Sequence, residues 1–207
     1  MNIIQYHKNK GIIINDYFCD VIHAAIFASG EGTNAENLIR YFKNDPRIKI
    51  KLVVTNRDDA GVIQRAEHHK KTVQIISRDA LNNYTDQIIE FLQTEKIDLI
   101  ILAGFLLKIP EKMVKAFPEK IVNIHPALLP KFGGKGMYGK HVHEAVIQQQ
   151  EKESGITVHL VNEEYDKGRI VLQEKCEVTA NDTPESLAQK IHQLEYLHFP
   201  KAIEKLL

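Results

Sequence analysis

Asn123 and His125 are the residues whose types and spacing most directly suggest chemistry. They lie in the stretch Ile121-Val122-Asn123-Ile124-His125-Pro126, which favours a strand ended by the proline. Side chains alternate along a strand, so residues 123 and 125 point the same way. The amide donates a hydrogen bond, and the imidazole donates a proton or a hydrogen bond. Two such donors can stabilise the oxyanion of a carbonyl that becomes tetrahedral. The spacing alone equally allows local hydrogen bonds in a turn.

Asp166 is the third candidate for chemistry. A carboxylate beside a histidine favours the imidazolium form and fixes the orientation of the ring. It could also order a water that relays a proton from an attacking amine. Asp166 stands in the stretch Glu164-Tyr165-Asp166-Lys167-Gly168, however, and aspartate before glycine is typical of a turn. Taken by itself, Asp166 is better explained as a turn residue.

A glycine-rich segment, Ser29-Gly30-Glu31-Gly32-Thr33-Asn34, follows the first predicted strand and opens the first predicted helix. Glycines let the backbone approach a ligand, and a helix start offers unpaired N–H groups that suit a phosphate. The segment is neither a Walker motif nor a full dinucleotide fingerprint, because Ala35 replaces the third glycine and no acid follows the second strand. A single phosphate is therefore the expected ligand. The alternative is a tight connection capped by Thr33 or Asn34.

Other reactive residues suggest no further site. His141 and His143, like the adjacent His68 and His69, lack the third ligand that zinc sites need, so we expect no metal. Cys176 is expected to pack as a small hydrophobe. No serine or cysteine stands in a nucleophile elbow, which predicts direct acyl transfer without a covalent enzyme intermediate.

The elements that must position these residues alternate between strand and helix from about residue 22. This order predicts an α/β fold: a Rossmann-like, mostly parallel twisted sheet with helices on both faces and right-handed crossovers. Ligands in such sheets bind beyond the carboxyl ends of the strands. The predicted strands are His23–Ala28, Ile48–Thr55, Thr72–Ile76, Ile97–Ala103 and Lys120–Ile124, and the predicted helices are Asn34–Asn44, Ala60–His69 and Asp79–Thr94.

The last third of the chain has a different pattern. Gly155–Asn162 and Ile170–Val178 are predicted to be hairpin-like strands joined by the turn around Asp166. Thr183 then has the character of an N-cap, with Pro184 at the first helical position. The C-terminal helix is predicted to run to about Leu197, and the pattern leaves open whether it resumes after the next proline.

Composition limits the class of protein. The chain has 207 residues, with 27 basic and 27 acidic side chains and a formal net charge of zero. This balance gives no reason to expect nucleic-acid binding, and no apolar run approaches the ~20 residues that cross a bilayer. The two cysteines, Cys19 and Cys176, are expected to be reduced thiols in a cytoplasmic protein. We expect one domain over residues 21–207, preceded by an extension, residues 1–20, of unknown role. An edge strand through Gly11–Ile14 is one interpretation of that extension.

Five segments together resemble the phosphoribosylglycinamide formyltransferase family of folate-dependent enzymes, over roughly residues 22–207. They are Ser29-Gly30-x-Gly32-Thr33-Asn34, Leu102-Ala103-Gly104-Phe105, Asn123-Ile124-His125-Pro126-Ala127-Leu128-Leu129-Pro130, Gly155-Ile156-Thr157-Val158-His159 and Tyr165-Asp166-x-Gly168. The resemblance implies the formyltransferase fold. It also implies transfer of a formyl group from 10-formyltetrahydrofolate to the amine of 5-phosphoribosylglycinamide, in purine biosynthesis.

The resemblance also implies roles for individual residues. His125 would be the general acid, with Asp166 raising its pKa, and Asn123 would polarise the formyl oxygen of the bound cofactor. Glu195 would lie near the substrate. Arg78 would meet the folate, although an offset of three residues would put Leu81 in its place. Gly32, Thr33 and Asn34 would bind the substrate phosphate, and Leu106, Leu107, Lys108 and Ile109 would line the pteridine pocket.

Two departures and several rival functions accompany the resemblance. Leu107 stands where many family members have an arginine, and the loop Lys131–His143 is longer than in many relatives; its basic residues could cover a phosphate or the glutamate tail of folate. Methionyl-tRNA formyltransferase and formyltetrahydrofolate hydrolase would require further domains, which we do not expect here. A sugar-nucleotide formyltransferase and a non-catalytic nucleotide-binding Rossmann module remain alternatives. The protein is expected to be a monomer or a homodimer that binds small molecules.

Overall fold

The computed structural model describes residues 21–207, so the interpretations placed on residues 1–20, Cys19 included, lie outside the described residues. Seven strands and seven helices follow one another within this part of the chain. The strands are β1 (Ile22–Phe27), β2 (Ile48–Thr55), β3 (Thr72–Ile75), β4 (Leu99–Leu102), β5 (Ile121–His125), β6 (Glu153–Leu160) and β7 (Ile170–Glu177). The helices are α1 (Thr33–Tyr41), α2 (Val62–His68), α3 (Arg78–Asn83), α4 (Thr85–Thr94), α5 (Glu111–Ala116), α6 (Lys140–Gln148) and α7 (Pro184–Glu204).

All seven strands form one sheet in the order β3-β2-β1-β4-β5-β6-β7. The first five of these strands are parallel, whereas β6 runs antiparallel to both β5 and β7. The predicted mostly parallel sheet with a C-terminal hairpin is therefore confirmed. In the antiparallel pair, Asn123 is opposite His159 and His125 is opposite Thr157.

The central strands are apolar on both faces because helices cover both. Along β1, Ala24 and Ile26 belong to one buried cluster, and Ala25 and Phe27 belong to the other. The first cluster includes residues of α1, α2, α6 and α7, and the second includes residues of α3, α4 and α5. This alternation explains why the sequence of β4 shows no polar positions.

Two helix predictions need correction. The helix predicted over Asp79–Thr94 is divided at Tyr84 (φ −122°, ψ 32°) into α3 and α4. The buried Thr85 hydroxyl donates a hydrogen bond to the Leu81 carbonyl at 2.6 Å, a bond of the kind that bends helices.

The C-terminal helix begins as predicted, with Thr183 in a capping box and Pro184 at its start. It does not end near Leu197, however, but continues through Pro200. Proline has no N–H for the carbonyl four residues earlier. That carbonyl, of Tyr196, instead accepts a hydrogen bond from the Asn37 side chain of α1 at 2.8 Å. Within residues 21–207, no helix is both long enough and apolar enough to span a bilayer.

Candidate active site

A cavity of about 820 Å³ lies beyond the carboxyl ends of the parallel strands. Its wall combines the turn after β1, the segment after β4, the end of β5, the loop before α6, the β6–β7 loop and one face of α7. The cavity contains every site residue that the sequence predicted. They are Gly32, Thr33, Asn34, Arg78, Leu106, Leu107, Lys108, Ile109, Asn123, His125, Asp166 and Glu195.

His125 lies at the tip of β5 and is only 4% exposed. Its Nε2 is 2.8 Å from the carbonyl oxygen of Phe132, so this nitrogen carries the hydrogen and donates it to the backbone. The other ring nitrogen, Nδ1, lies 3.8 Å from Asp166 Oδ2. The fold therefore brings His125 and Asp166 close together, and Nδ1 is the ring nitrogen that remains available to a ligand.

Two opposing effects act on the pKa of His125. Burial lowers the pKa of His125 below its ordinary value, and the attraction of Asp166, which raises the pKa, only partly offsets this. The carboxylate acts in the expected direction, but desolvation of the imidazolium is the larger effect. His125 is therefore predominantly neutral near pH 7.

Asn123 is held by a residue to which the sequence assigned no role. Asn123 Nδ2 lies 3.1 Å from Nε2 of His159, and Nδ1 of His159 lies 2.9 Å from the Leu160 carbonyl. With Nδ1 donating to the backbone carbonyl, Nε2 of His159 is the atom that contacts the Asn123 amide, which leaves the second amide hydrogen of Asn123 for the cavity. The sequence analysis contained His159 only as the last residue of the family-like segment Gly155-Ile156-Thr157-Val158-His159.

Asp166 sits between the two histidines in a conformation with φ 54°. Its Oδ1 is 3.6 Å from His159 Nε2, and its Oδ2 accepts the Gly134 N–H at 2.8 Å. Burial tends to raise the pKa of Asp166, but contacts with His159, the Gly134 N–H and His125 lower it further than burial raises it. The group is therefore a carboxylate at neutral pH.

The segment after His125 is fixed by two polar side chains of the antiparallel strands. The buried Thr157 hydroxyl donates to the Ala127 carbonyl at 2.6 Å and accepts the Leu129 N–H at 3.0 Å. Gln173 donates to the Leu129 carbonyl at 2.9 Å. The Leu129–Pro130 peptide bond in this segment is cis.

The glycine-rich turn has the geometry of an open helix start. Gly32 has φ 74°, and a Cβ there would overlap Val62. It is the N-cap of α1 and supplies no capping side chain. Thr33 and Asn34 are therefore the first residues of α1 and not its caps. Both line the cavity, and the first N–H groups of a helix have no intrahelical partner.

Beside this turn, Glu195 is 6% exposed. Its Oε2 accepts from Asn34 Nδ2 at 2.8 Å and lies 3.0 Å from His192 Nδ1, which raises the pKa of His192. His143 of α6 also lines this part of the cavity; its Nδ1 has no partner among the described residues, and burial lowers its pKa. The sequence analysis assigned no role to His192 or His143.

Another part of the cavity wall comes from the segment after β4. Leu107 and Ile109 are buried in the core, whereas Leu106 and Lys108 are exposed, so those two side chains and the backbone form this wall. Arg78 lines the cavity at the start of α3. Leu81, the alternative to Arg78, is 1% exposed in the core and does not reach the cavity.

The loop before α6 forms a further part of the cavity wall, and two of the histidines considered as metal ligands instead pair with carboxylates. Gly134–Gly139 of that loop line the cavity, and Lys135 and Tyr138 are among them. His141 is paired with Glu144, and His69 with Glu36. Across residues 21–207, no three His, Cys, Asp or Glu side chains form a cluster that could hold a metal.

Comparison with known proteins gives consistent matches. Residues 22–203 match the family described as formyl transferase. The chain is 42% identical over 175 residues to the chloroplastic phosphoribosylglycinamide formyltransferase of Arabidopsis thaliana, covering 81% of this chain but 59% of that one. It is 36% identical to the Bacillus subtilis enzyme of the same name, covering 88% of this chain and 93% of the relative. The crystal structure of phosphoribosylglycinamide formyltransferase from Bacillus halodurans superposes with a TM-score of 0.82 at 34% identity, covering 89% of this chain and 95% of that one.

Proposed function

The chain belongs to the formyl transferase family, and we propose that it transfers a formyl group from 10-formyltetrahydrofolate to the amine of 5-phosphoribosylglycinamide, a step of purine biosynthesis. The chain spans only about 60% of the length of the two plant relatives, but 93% of the Bacillus subtilis one. The observation that carries the proposal is the meeting of Asn123, His125 and Asp166 in the same cavity as the open start of α1.

The formyl acceptor, 5-phosphoribosylglycinamide, binds through its phosphate and its hydrogen-bond donors. Its phosphate binds the N–H groups at the start of α1, where Gly32 allows close approach and the helix dipole favours an anion. Glu195, held by Asn34 and beside His192, accepts hydrogen bonds from the hydroxyls or the amine of the same substrate. The formyl donor lies along Leu106–Ile109 and Arg78, with its formyl oxygen toward Asn123.

The reaction is direct attack by the neutral amine on the formyl carbon. The remaining N–H of Asn123 stabilises the developing oxyanion. His125 first takes up a proton from solvent at Nδ1, where Asp166 balances the charge. It then acts as the second hydrogen-bond donor to the oxyanion and keeps that proton through the transfer. The proton leaves the amine through water at Asp166 and reaches the departing folate nitrogen, so that the carboxylate is regenerated. Positioning two substrates in one cavity contributes through effective molarity.

Two assignments are proposed on separate grounds. A cytoplasmic location rests on the small number of cysteines in the sequence, although two plant relatives are named as chloroplastic. Binding of small molecules only, without nucleic acid, rests on the zero net charge.

Purified protein mixed with both substrates tests the proposal. We expect the absorbance of deformylated tetrahydrofolate to appear only when the phosphorylated amine is also present. Deformylation that does not depend on the amine would indicate a hydrolase. Absence of any reaction, together with binding of NAD(P), would favour the nucleotide-binding module. A sugar-nucleotide amine offered in parallel tests the remaining alternative within the family.

A further inference from the structure

Two loops from different parts of the sheet meet at one point on the cavity rim. Lys108 belongs to the segment after β4, and Tyr165 belongs to the loop between β6 and β7. The ammonium of Lys108 lies 5.3 Å from the centroid of the Tyr165 ring, within the range of a cation–π interaction. Both side chains line the cavity, and the tyrosine is 42% exposed.

The backbone segment that carries Lys108 is held by a hydrogen bond and by buried neighbours. The Leu106 N–H donates to Ser29 Oγ at 2.9 Å, and that hydroxyl donates to Asn56. Leu107 and Ile109, on either side of Lys108, are buried in the core. Among residues 21–207, the Lys108 side chain forms no salt bridge and no hydrogen bond, so its ammonium is available to the tyrosine ring. The backbone that carries the lysine is thus held in place on both sides of it.

Tyr165 is adjacent in the chain to Asp166, the proposed catalytic carboxylate. Tyr165 precedes Asp166, whose φ of 54° is unusual for a residue with a side chain. The Asp166 carboxylate in turn accepts the Gly134 N–H at 2.8 Å. A shift of the tyrosine backbone would therefore move the carboxylate relative to His125 Nδ1.

We propose that the rim contact between Lys108 and Tyr165 positions Asp166, and so links the wall that holds the formyl donor to the group that handles the proton. This inference rests on the proposed function, since the donor is the ligand assigned to Leu106–Ile109. Tyr165 and Lys108 act here as positioning residues, through Asp166. The contact also gives the lysine a role distinct from binding the donor's carboxylate.

A double-mutant cycle with Lys108→Met, Tyr165→Leu and the double variant tests this role. Removal of a partly exposed cation–π contact should reduce kcat at saturating concentrations of both substrates by about 2- to 5-fold in each single variant. The double variant should be no slower than the slower single variant. Lys108→Arg, which keeps the cation, should recover kcat relative to Lys108→Met, and Tyr165→Phe, which keeps the ring, should recover kcat relative to Tyr165→Leu. Lys112→Met is the matched control, because Lys112 is an exposed lysine paired with Asp86 outside the cavity.

A second readout does not depend on turnover. The Gly134 N–H reports directly on the position of Asp166, so its hydrogen exchange, followed by NMR, should quicken in each single variant and no further in the double variant. An increase of KM for the donor with unchanged kcat would overturn the positioning role, as would multiplicative effects or unchanged Gly134 exchange. If the wild type shows no formyl transfer, the proposed function fails, and unchanged exchange would then separately reject the rim contact.

Discussion

At the scale of single residues, the site's polar atoms are largely committed to the backbone. His125 donates to Phe132, His159 donates to Leu160, and Asp166 accepts from Gly134. The atoms left for ligands are therefore His125 Nδ1, one N–H of Asn123 and the second oxygen of Asp166. The sequence suggested Asn123 and His125 from their spacing, and Asp166 only together with the family resemblance. It could not show which atom of each remains available, because that depends on loops from other parts of the chain.

Removal of one of these atoms should affect the rate much more than the fold. We expect Asn123→Ala and Asp166→Asn each to lower kcat by about 100- to 1000-fold, as loss of a preorganised transition-state contact usually does. Steady-state kinetics and circular dichroism measure the two properties together. Turnover near wild type in either variant would remove the mechanism, and Lys112→Met serves as the unaffected control.

Two of the cavity histidines, His143 and His192, should give opposite pH dependences of stability. Burial lowers the pKa of His143 below 6.5, so its unfolded form takes up a proton first and the free energy of unfolding falls as the pH drops below about 6.5 toward the folded pKa. The hydrogen bond to Glu195 raises the pKa of His192, so its contribution is present below about 6.5 and is lost as the pH rises through the folded pKa.

Urea unfolding of His143→Gln and His192→Gln at about pH 5 and about pH 8 separates these contributions. Relative to His143→Gln, the wild type should lose stability as the pH falls. Relative to His192→Gln, the wild type should lose stability as the pH rises. Equal slopes for all three proteins would show that neither imidazole changes its proton affinity on folding.

At the scale of elements, the sequence predicted the strands well and the helix ends less well. Apolar runs such as β4 mark buried parallel strands regardless of their neighbours. The division at Tyr84 and the passage of α7 through Pro200 depend instead on single hydrogen bonds, from Thr85 to Leu81 and from Asn37 to Tyr196. The second of these joins α7 to a helix from the other end of the chain, so no local pattern could reveal it.

The bond from Asn37 should matter because Pro200 is present. We expect Asn37→Ala to lower the free energy of unfolding by about 0.5–1.5 kcal/mol, the usual value of one hydrogen bond. In a Pro200→Ala background the restored N–H can bond the Tyr196 carbonyl, so the same change should cost clearly less. Thermal or urea unfolding of the four proteins gives the coupling. Equal costs in both backgrounds would contradict this explanation of the continuous helix.

At the scale of the whole molecule, attraction of anionic substrates must be local because the formal net charge is zero. The lysines and arginine on the cavity wall are Lys108, Lys135 and Arg78, and none forms a salt bridge with another described residue. Many lysines elsewhere, such as Lys175 with Glu153, are paired. The same wall carries Glu31, Glu164, Asp166 and Glu195, so these cations offer local contacts to substrate phosphate and carboxylate groups and do not create a net positive field.

Two substitutions with the same change in net charge separate a local effect from a global one. Lys135→Met should raise KM for at least one of the two substrates by about 2- to 5-fold, on the order of one exposed charge interaction. Lys175→Met should leave both KM values unchanged. Similar increases in both variants would instead indicate attraction by the field of the whole molecule.

The bonds between α1 and α7 have a consequence for synthesis of the protein. Asn34 meets Glu195 one helical turn from the contact of Asn37 with Tyr196, and Asp166 reaches His125 only after the chain reverses direction at β6. Contacts between residues so far apart in the sequence raise the contact order of the fold and slow its folding. A ribosome-bound chain that has completed its parallel strands thus still lacks a competent pocket, which closes only when the C-terminal helix has emerged.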